Sequence, residues 1–304
     1  MERVAVVGAG MMGQGIAEVF AAKGHPVQLY ARRQEVLDQV HEKARANFKV
    51  LGVDEKAAEN ISLHNTIESG VTGADIVFEN AAENMEVKQN LFAEMERYTG
   101  KDCVLASNTS VMPITQIGEK CKDRFRVLGT HWWNPPYLIP LVEVVQTEYS
   151  DMGLVHRTID LLNRAGKVAV HVKRDVAGFV ANRMQHALWR EAVSIVEHGI
   201  CDAETVDMCV KNSFGLRLPV LAPLENADLV GLDLTLAIHN TILSQIEASP
   251  DPSPYLKEKV AKGELGMKTG GGFYEGWTPE KMQAVRTRLS SYLRAVAANG
   301  LPKQ

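Results

Sequence analysis

The sequence lacks three features that would assign it to common classes of protein. It has no run of 18 uninterrupted apolar residues, so we expect no membrane span. Basic residues are not in excess: 33 Lys and Arg stand against 37 Asp and Glu, a net charge of −4, whereas nucleic acids and anionic membranes bind basic faces. The four cysteines show neither a C-x-x-C pair nor the spacing of zinc ligands. We therefore expect no nucleic-acid, membrane or metal partner, and free thiols in the cytoplasm.

The chain shows two patterns in succession. Its 304 residues, 45% of them hydrophobic, are enough for two domains. Up to residue 173, short apolar runs alternate with amphipathic helices, which predicts βαβ units in a doubly wound, mostly parallel sheet. From 174 to 304 only helical periodicity recurs. The fold class predicted is α/β followed by an all-α domain.

The apolar periodicity gives approximate bounds for these elements. The predicted strands are 3–7, 26–30, 76–79, 103–107, 127–130, 141–146 and 168–172. The predicted helices are 14–23, 35–51, 85–98, 153–165, 179–198, 203–214, 232–248, 255–262 and 279–298.

A glycine-rich loop follows the first predicted strand. Gly8, Gly10 and Gly13 form a G-x-G-x-x-G pattern between that strand and the first helix. The spacing suits a tight turn at Gly8, close approach of a pyrophosphate at Gly10 and helix–strand packing at Gly13. Phosphates would then meet free N–H groups at the helix N-terminus. The context predicts a Rossmann-type dinucleotide site, with Met11 and Met12 inside the binding loop.

The end of the second predicted strand indicates which dinucleotide is bound. NAD-binding domains place an Asp or Glu there to bind the ribose 2′-hydroxyl, whereas this sequence has Ala31 followed by Arg32 and Arg33. A small neutral residue beside two guanidinium groups suits a 2′-phosphate. The pattern predicts a preference for NADP, with NAD as the alternative if both arginines merely face solvent.

Five further segments are specific in combination. They are A-S-N-T-S at 106–110, G-T-H-W-W-N-P-P at 129–136, L-V-E-V at 141–144, D-V-A-G-F-V-A-N-R at 175–183 and G-M-K-T-G-G-G-F-Y at 266–274. With the glycine loop, they resemble the L-3-hydroxyacyl-CoA dehydrogenase superfamily over nearly the whole chain. The resemblance implies a Rossmann-type domain, a helical domain that forms a homodimer, and a catalytic pair at His131 and Glu143.

The same resemblance implies the remaining site residues. The substrate-side polar groups fall on Ser110 and Asn182. The positions assigned to the cofactor are Glu83, Lys88, Asn108, Asn134 and Lys268.

The chemistry of alcohol oxidation is consistent with these residue types. A base must take the hydroxyl proton while hydride leaves the carbon, and imidazole titrates near working pH. A carboxylate such as Glu143 on the far nitrogen of His131 would fix its tautomer and stabilise the imidazolium. Ser110 and Asn182 could donate hydrogen bonds to the developing carbonyl oxygen. The alternatives are a histidine packed among tryptophans, a Ser110 that caps a helix near residues 113–120, and a structural Asn182.

The chain departs from the acyl-CoA enzymes in one segment. Between the second strand and Ile61, those enzymes carry a longer helical arm that binds CoA, whereas residues 34–60 here are short and carry four basic and six acidic side chains. A net acidic surface is a poor site for a polyphosphate. The segments 134–140 and 217–219 resemble the branch that acts on free hydroxy acids or on pyridine-ring alcohols and aldehydes, such as L-gulonate 3-dehydrogenase and the dehydrogenases of vitamin B6 degradation. Arg217 is then a candidate partner for a substrate carboxylate.

These observations predict an NAD(P)-dependent dehydrogenase of a small 3-hydroxy acid or similar polar alcohol. The alternatives are an enzyme acting on CoA thioesters and a non-catalytic, crystallin-like nucleotide-binding protein. Two further alternatives fit less well. A lysine-dependent 6-phosphogluconate or 3-hydroxyisobutyrate type would need a lysine where this sequence has Arg183, and a methyltransferase would leave the second domain unexplained.

Overall fold

The computed structural model describes residues 1–299 and divides the chain into two compact units. The first unit comprises Met1–Asn182, and the second begins at Arg183. The boundary predicted after residue 173 lies inside the first unit.

The first unit is built on one eight-stranded sheet. Its strands are β1 (Val4–Val7), β2 (Val27–Tyr30), β3 (Ile61–His64), β4 (Ile76–Glu79), β5 (Val104–Ser107), β6 (Val127–Trp132), β7 (Leu141–Val145) and β8 (Val168–Val172). They lie in the order β3-β2-β1-β4-β5-β6-β7-β8, and every neighbouring pair is parallel except β6 and β7. The predicted doubly wound, mostly parallel sheet is confirmed. The chain reverses its winding between β1 and β4, and a dinucleotide binds at such a point in open α/β sheets.

Helices connect the strands of the first unit. They are α1 (Met11–Ala21), α2 (Gln34–Leu37), α3 (Val40–Leu51), α4 (Ile67–Val71), α5 (Met85–Tyr98), α6 (Ile114–Ile117) and α7 (Met152–Arg164), with short 3₁₀ segments at Glu55–Asn60, Gly118–Lys120 and Arg124–Arg126.

Both faces of this sheet are covered. In β1, Val4 and Val6 belong to one buried apolar cluster, whereas Ala5 and Val7 belong to another on the opposite face. Alternate side chains of a strand point to opposite faces, so a strand buried on both faces is apolar throughout. The central strands are therefore held rigidly, and the carboxyl ends of β1, β4, β5 and β6 provide fixed points for polar side chains.

The second unit is helical. Its helices are α8 (Ala181–Glu197), which starts in the first unit, then α9 (Ala203–Lys211), α10 (Phe214–Arg217), α11 (Pro223–Val230), α12 (Leu232–Ile242), α13 (Pro254–Ala261) and α14 (Pro279–Asn299). Among its residues up to 299, β-type pairing is limited to an isolated bridge between Gly266 and Gly271. The predicted all-α second part is confirmed. No helix within residues 1–299 is both long and apolar enough to cross a membrane.

Several individual elements differ from the prediction. The helix predicted over 35–51 is divided into α2 and α3, because the chain turns between Leu37 and Val40, which are both buried in the same apolar cluster. Strand β3 was not predicted because Ser62 and His64 interrupt its apolar pattern. Helix α11 was not predicted either, since none of its side chains is buried and its sequence has no clear apolar face.

Candidate active site

The turn between β1 and α1 contains the predicted glycine loop. Gly8 has a φ of +104°, and a Cβ there would lie 2.6 Å from the carbonyl oxygen of Asn80. A Cβ on Gly13 would lie 1.8 Å from the carbonyl oxygen of Gly8. At Gly10, by contrast, a Cβ would meet no atom of the described residues within 4 Å. Packing within the protein therefore explains Gly8 and Gly13, while the open space at Gly10 fits the approach of a ligand.

A cavity of about 1020 Å³ opens beside this loop. Gly8, Gly10 and Ala31 line it together with Arg32 and Arg33. The N-cap of α1, Gly10, supplies no side-chain hydrogen bond to the first turn of the helix, so backbone N–H groups remain there for an anion. The residues present fit a dinucleotide with its pyrophosphate at the start of α1. Met11 is exposed at the first position of this helix, and Met12 packs partly against the core.

The far part of the cavity contains charges of both signs. Arg32 and Arg33 are exposed, and neither side chain has a hydrogen bond or ion pair within residues 1–299. Glu94 of α5 lines the same cavity. Burial and the charge of Glu94 raise the pKa of Tyr30, and Arg32 acts in the opposite direction. Sequence reasoning missed Glu94 because it comes from a helix outside the glycine motif.

A buried network of charges lies beyond the end of β4. The Lys88 ammonium is 1% exposed and donates to both carboxylate oxygens of Glu79, at 2.9 and 3.0 Å, and lies 3.2 Å from Glu83. Glu79 also accepts a hydrogen bond from the Ser107 hydroxyl at 2.7 Å. Burial of both charges is tolerated because each is paired and hydrogen-bonded. Lys88 thus holds the Glu83 side chain in place. Contacts of these two residues with the cofactor remain predictions.

Glu83 connects this network to Ser110, which is predicted for the substrate side. One of its oxygens accepts hydrogen bonds from the Thr109 hydroxyl at 2.5 Å and from the Ser110 N–H at 2.9 Å. Burial raises the pKa of Glu83, but these bonds and the Lys88 charge outweigh it, so the pKa lies below its usual value. Glu83 is therefore ionised at neutral pH and holds the backbone of Ser110.

Asn108 connects three strand ends. Its amide nitrogen donates to the side-chain oxygen of Asn80 at 2.8 Å, and its own oxygen accepts the N–H of Trp132 at 2.9 Å. Both ends of the side chain are thus used within the protein. The sequence analysis did not identify Asn80 and Glu79, although two polar residues at the end of an apolar strand are a detectable signal.

His131 and Glu143 meet across the antiparallel pair. The register places His131 of β6 directly opposite Glu143 of β7, and residues directly opposite have their side chains on the same face. The imidazole Nδ1 lies 2.8 Å from a Glu143 oxygen, with both residues buried. The ionised carboxylate requires the proton on Nδ1. Nε2 is then the basic nitrogen, and it has no hydrogen-bond partner within residues 1–299.

The second oxygen of Glu143 is bound by backbone. It accepts the N–H groups of Val180 and Ala181, at 2.9 and 3.1 Å, where α8 begins. Burial raises the pKa of Glu143, yet its hydrogen bonds with His131 and these two N–H groups outweigh burial and hold the pKa below its usual value. The carboxylate therefore stays charged and oriented, as a partner of a catalytic imidazole must be.

Ser110 and Asn182, both predicted for the substrate side, lie next to each other. The Asn182 amide donates to the Ser110 carbonyl oxygen at 3.1 Å, and Asn182 directly follows the residue that binds Glu143. The capping alternative for Ser110 was wrong, because α6 begins at Ile114 after Pro113, without a side-chain cap. The Ser110 hydroxyl makes no hydrogen bond within the described residues.

The remaining predicted site residues are exposed. Asn134 lies in the turn that follows β6, in a cis peptide bond with Pro135. Arg217 ends α10, and Lys268 lies in the loop closed by the bridge of Gly266 and Gly271. The last two belong to the second unit, and their roles remain predictions.

Comparison with known proteins identifies relatives along nearly the whole chain. The family model for the 3-hydroxyacyl-CoA dehydrogenase NAD binding domain matches residues 3–176, and the model for the C-terminal domain of the same enzymes matches residues 178–276. A 5-formyl-3-hydroxy-2-methylpyridine 4-carboxylate 5-dehydrogenase of Mesorhizobium japonicum is 33% identical, over 97% of each chain. A 3-hydroxybutyryl-CoA dehydrogenase of Mycobacterium tuberculosis is 36% identical, over 90% of this chain and 98% of the relative.

Solved structures of relatives differ in how closely they superpose on this chain. A crystal structure of a 5-formyl-3-hydroxy-2-methylpyridine 4-carboxylic acid 5-dehydrogenase, described as an NAD⁺-dependent dismutase, has a TM-score of 0.90 at 32% identity and covers 97% of both chains. The (S)-3-hydroxybutyryl-CoA dehydrogenase of Ralstonia eutropha has a TM-score of 0.76 at 29% identity, with 90% of this chain and 99% of its own covered.

Fold and site together define a nicotinamide-dinucleotide-dependent dehydrogenase that acts on CH–OH groups. The chain belongs to the 3-hydroxyacyl-CoA dehydrogenase family. The family assignment, the enzyme class and the use of NAD(H) are confirmed by these matches.

Proposed function

We propose that this enzyme oxidises the hydroxyl group of a small, polar substrate that is not linked to CoA, with His131 as the general base. The observation that carries the proposal is the His131–Glu143 pair at the end of β6. Its Nε2 has no hydrogen-bond partner among the described residues, and a charged carboxylate lies on Nδ1. The non-catalytic alternative would keep the fold without a working His131–Glu143 pair. The pair is present and hydrogen-bonded here, which argues against that alternative.

The residues of the site act on the hydroxyl proton and on the hydroxyl oxygen of the substrate. Nε2 of His131 takes the hydroxyl proton, and the Glu143 carboxylate stabilises the imidazolium that results. Ser110 and Asn182 donate hydrogen bonds to the oxygen as it becomes a carbonyl. The bound nicotinamide supplies the acceptor for the hydride. In the reverse direction, His131 returns the proton to the alkoxide.

Two observations favour a free substrate over a thioester. Residues 34–60, which contain α2, α3 and the 3₁₀ turn at Glu55–Asn60, carry six acidic and four basic side chains, which disfavours the phosphates of CoA. The pyridine-carboxylate dehydrogenase also superposes more closely, with a TM-score of 0.90 against 0.71–0.76 for the 3-hydroxyacyl-CoA and 3-hydroxybutyryl-CoA dehydrogenases. Small hydroxy acids and pyridine-ring alcohols or aldehydes are therefore the proposed substrate class, with Arg217 as the proposed carboxylate partner.

A substrate screen tests this class. Free 3-hydroxy acids and pyridine-ring alcohols and aldehydes should be compared with 3-hydroxybutyryl-CoA, each with both cofactors, by following reduced nicotinamide absorbance. We expect a free compound to give the highest kcat/KM. A thioester that clearly exceeds every free compound would contradict the proposal and favour ordinary acyl-CoA chemistry.

For the cofactor, we propose that NADP(H) is preferred although the family supports NAD(H). The support is the absence of a carboxylate at Ala31 and the unpaired guanidinium groups of Arg32 and Arg33 beside the cavity, within residues 1–299. Glu94 lines the same cavity and opposes the preference by repelling a 2′-phosphate. The comparison of Kd for NADPH and NADH by fluorescence titration at low salt is the direct test.

We further propose a homodimer formed through the second unit, in the cytoplasm. Its helices expose many large apolar side chains, among them Leu232 and Leu236 of α12 at 63% and 61%, and large exposed apolar areas are typical of interfaces. All four cysteines are free thiols, which fits a reducing compartment.

A further inference from the structure

Phe179 has an unusual backbone beside the catalytic pair. Its φ is +48°, in the left-handed region that residues with a Cβ rarely adopt, and it follows Gly178 at +73°. A single turn thus places two successive residues in the left-handed region. Such conformations are unfavourable for a non-glycine residue and persist where the surrounding structure requires them.

The turn determines where the following N–H groups point. Immediately after Phe179, the N–H groups of Val180 and Ala181 both converge on one oxygen of Glu143. A residue in the ordinary right-handed or extended region would send the chain in another direction and separate these N–H groups from the carboxylate. The backbone of Phe179 is therefore coupled to the orientation of Glu143.

The side chain of Phe179 contacts the other member of the pair. Its ring is 1% exposed and lies with its centroid 5.5 Å from that of the His131 imidazole, at an angle of 50°. Trp133 also contacts the imidazole, with centroids 5.4 Å apart. Aromatic contacts of this kind restrict the rotation of the imidazole.

We propose that Phe179 is a positioning residue, which aligns Glu143 through its left-handed backbone and His131 through its ring. The inference rests on the proposed role of the His131–Glu143 pair. Phe179 would then orient both members of the pair, because its backbone acts on Glu143 and its ring acts on His131.

Three substitutions separate the two contributions. Phe179→Leu removes the ring but keeps much of the apolar bulk and the same backbone preference, so it measures what the aromatic character of the ring adds. Phe179→Gly removes the ring but accepts the left-handed φ, whereas Phe179→Ala removes the ring and disfavours that φ. We expect kcat to be within about threefold of the parent enzyme for Leu, about tenfold lower for Gly and lower again for Ala. A position that acts by packing alone would rank Ala at or above Gly, because Ala keeps the Cβ and its contacts.

Two measurements distinguish positioning from general damage. The Kd of the reduced cofactor should stay within about twofold in all three variants, and the melting temperature of the Gly variant should equal or exceed that of the Ala variant. Parent-like kcat in Phe179→Ala, or an Ala variant that is more active than the Gly variant, would overturn the proposal.

A spectroscopic measurement keeps this test independent of turnover. In ¹⁵N-histidine-labelled protein, with the His131 signals assigned by loss in His131→Ala, we expect the Nδ1–H tautomer in the parent and a mixture of tautomers in Phe179→Ala. An unchanged tautomer in the Ala variant contradicts the positioning role. If the tautomer changes but no tested alcohol is oxidised by the parent, the positioning role stands and the proposed function fails.

Discussion

The two units of this chain bury very different shares of their residues. The first unit encloses two apolar clusters on the faces of its sheet and buries charged groups such as Lys88, Glu79 and Glu143 among them. In the second unit, within the residues that the structure describes, only Val206 and Gly272 are buried. The first unit therefore has a core of its own to hold a precise site, whereas the second presents exposed apolar helix faces.

The largest expected effect is on turnover at the His131–Glu143 pair. His131→Ala should lower kcat by at least about a hundredfold, because the base that accepts the hydroxyl proton is lost. The cofactor Kd should change little, since the glycine loop is untouched. His156→Ala, an exposed histidine of the same unit, is the matched control and should keep parent activity. Near-normal turnover in His131→Ala at neutral pH would show that the pair is structural.

The next prediction concerns the apolar helix faces. Replacing Leu232 and Leu236 by arginine should weaken self-association by about a hundredfold or more, because burial of a leucine is worth about 1.5–3 kcal/mol. Sedimentation velocity over a range of concentrations measures the effect. Thr241→Arg, at an exposed position on the opposite side of the same helix, is the control. A parent protein that sediments as a monomer would instead mean that these faces do not join two copies of the chain.

A smaller effect is expected at the cofactor cavity. Ala31→Asp combined with Arg32→Ala should reverse the preference for NADPH over NADH, since one charge-assisted contact is worth about 1.5–3 kcal/mol, or roughly ten- to hundredfold in Kd. In the parent, high salt should reduce the preference because Arg32 is exposed. Glu94→Gln should increase the preference for NADPH, because it removes a negative charge that repels the 2′-phosphate. Equal Kd values for both cofactors in the parent would mean that the arginines do not contact the phosphate.

The smallest effect concerns a buried acid in the cofactor helix. Burial raises the pKa of Glu18 in α1 to about 7, despite a hydrogen bond from Asn47 that lowers it. Between pH 4.5 and 7 the folded chain therefore holds a proton that the unfolded chain has released, so this group's contribution to stability falls as pH rises. Glu18→Gln should raise the free energy of unfolding by about 1–3 kcal/mol at pH 8.

Urea unfolding at two pH values checks this prediction. The gain from Glu18→Gln should largely disappear at pH 4.5, where Glu18 is already protonated in the folded state. Glu42→Gln, at an exposed position of α3, should have little effect at either pH. An equal gain for Glu18→Gln at both values would indicate a packing effect instead.

The sequence predicted what depends on local pattern. Gly8 and Gly13 were identifiable because a strand, a tight turn and a helix impose their spacing, and His131 with Glu143 was found through motifs. The register that places these two opposite each other depends on the pairing of β6 with β7, which the sequence analysis did not predict. Glu79, Asn80 and the turn at Phe179 were missed, since their roles depend on contacts between distant segments.

The antiparallel pairing of β6 with β7 also affects how such an enzyme can diversify. The ladder from Gly129 to Trp132 fixes the His131–Glu143 pair, so the pair does not depend on the conformation of the connecting residues 133–140. A one-residue slip of the ladder would turn Glu143 to the opposite face, but insertions confined to the connection leave the register intact. Changes confined to that connection can therefore accumulate while the proposed proton-transfer pair keeps its geometry.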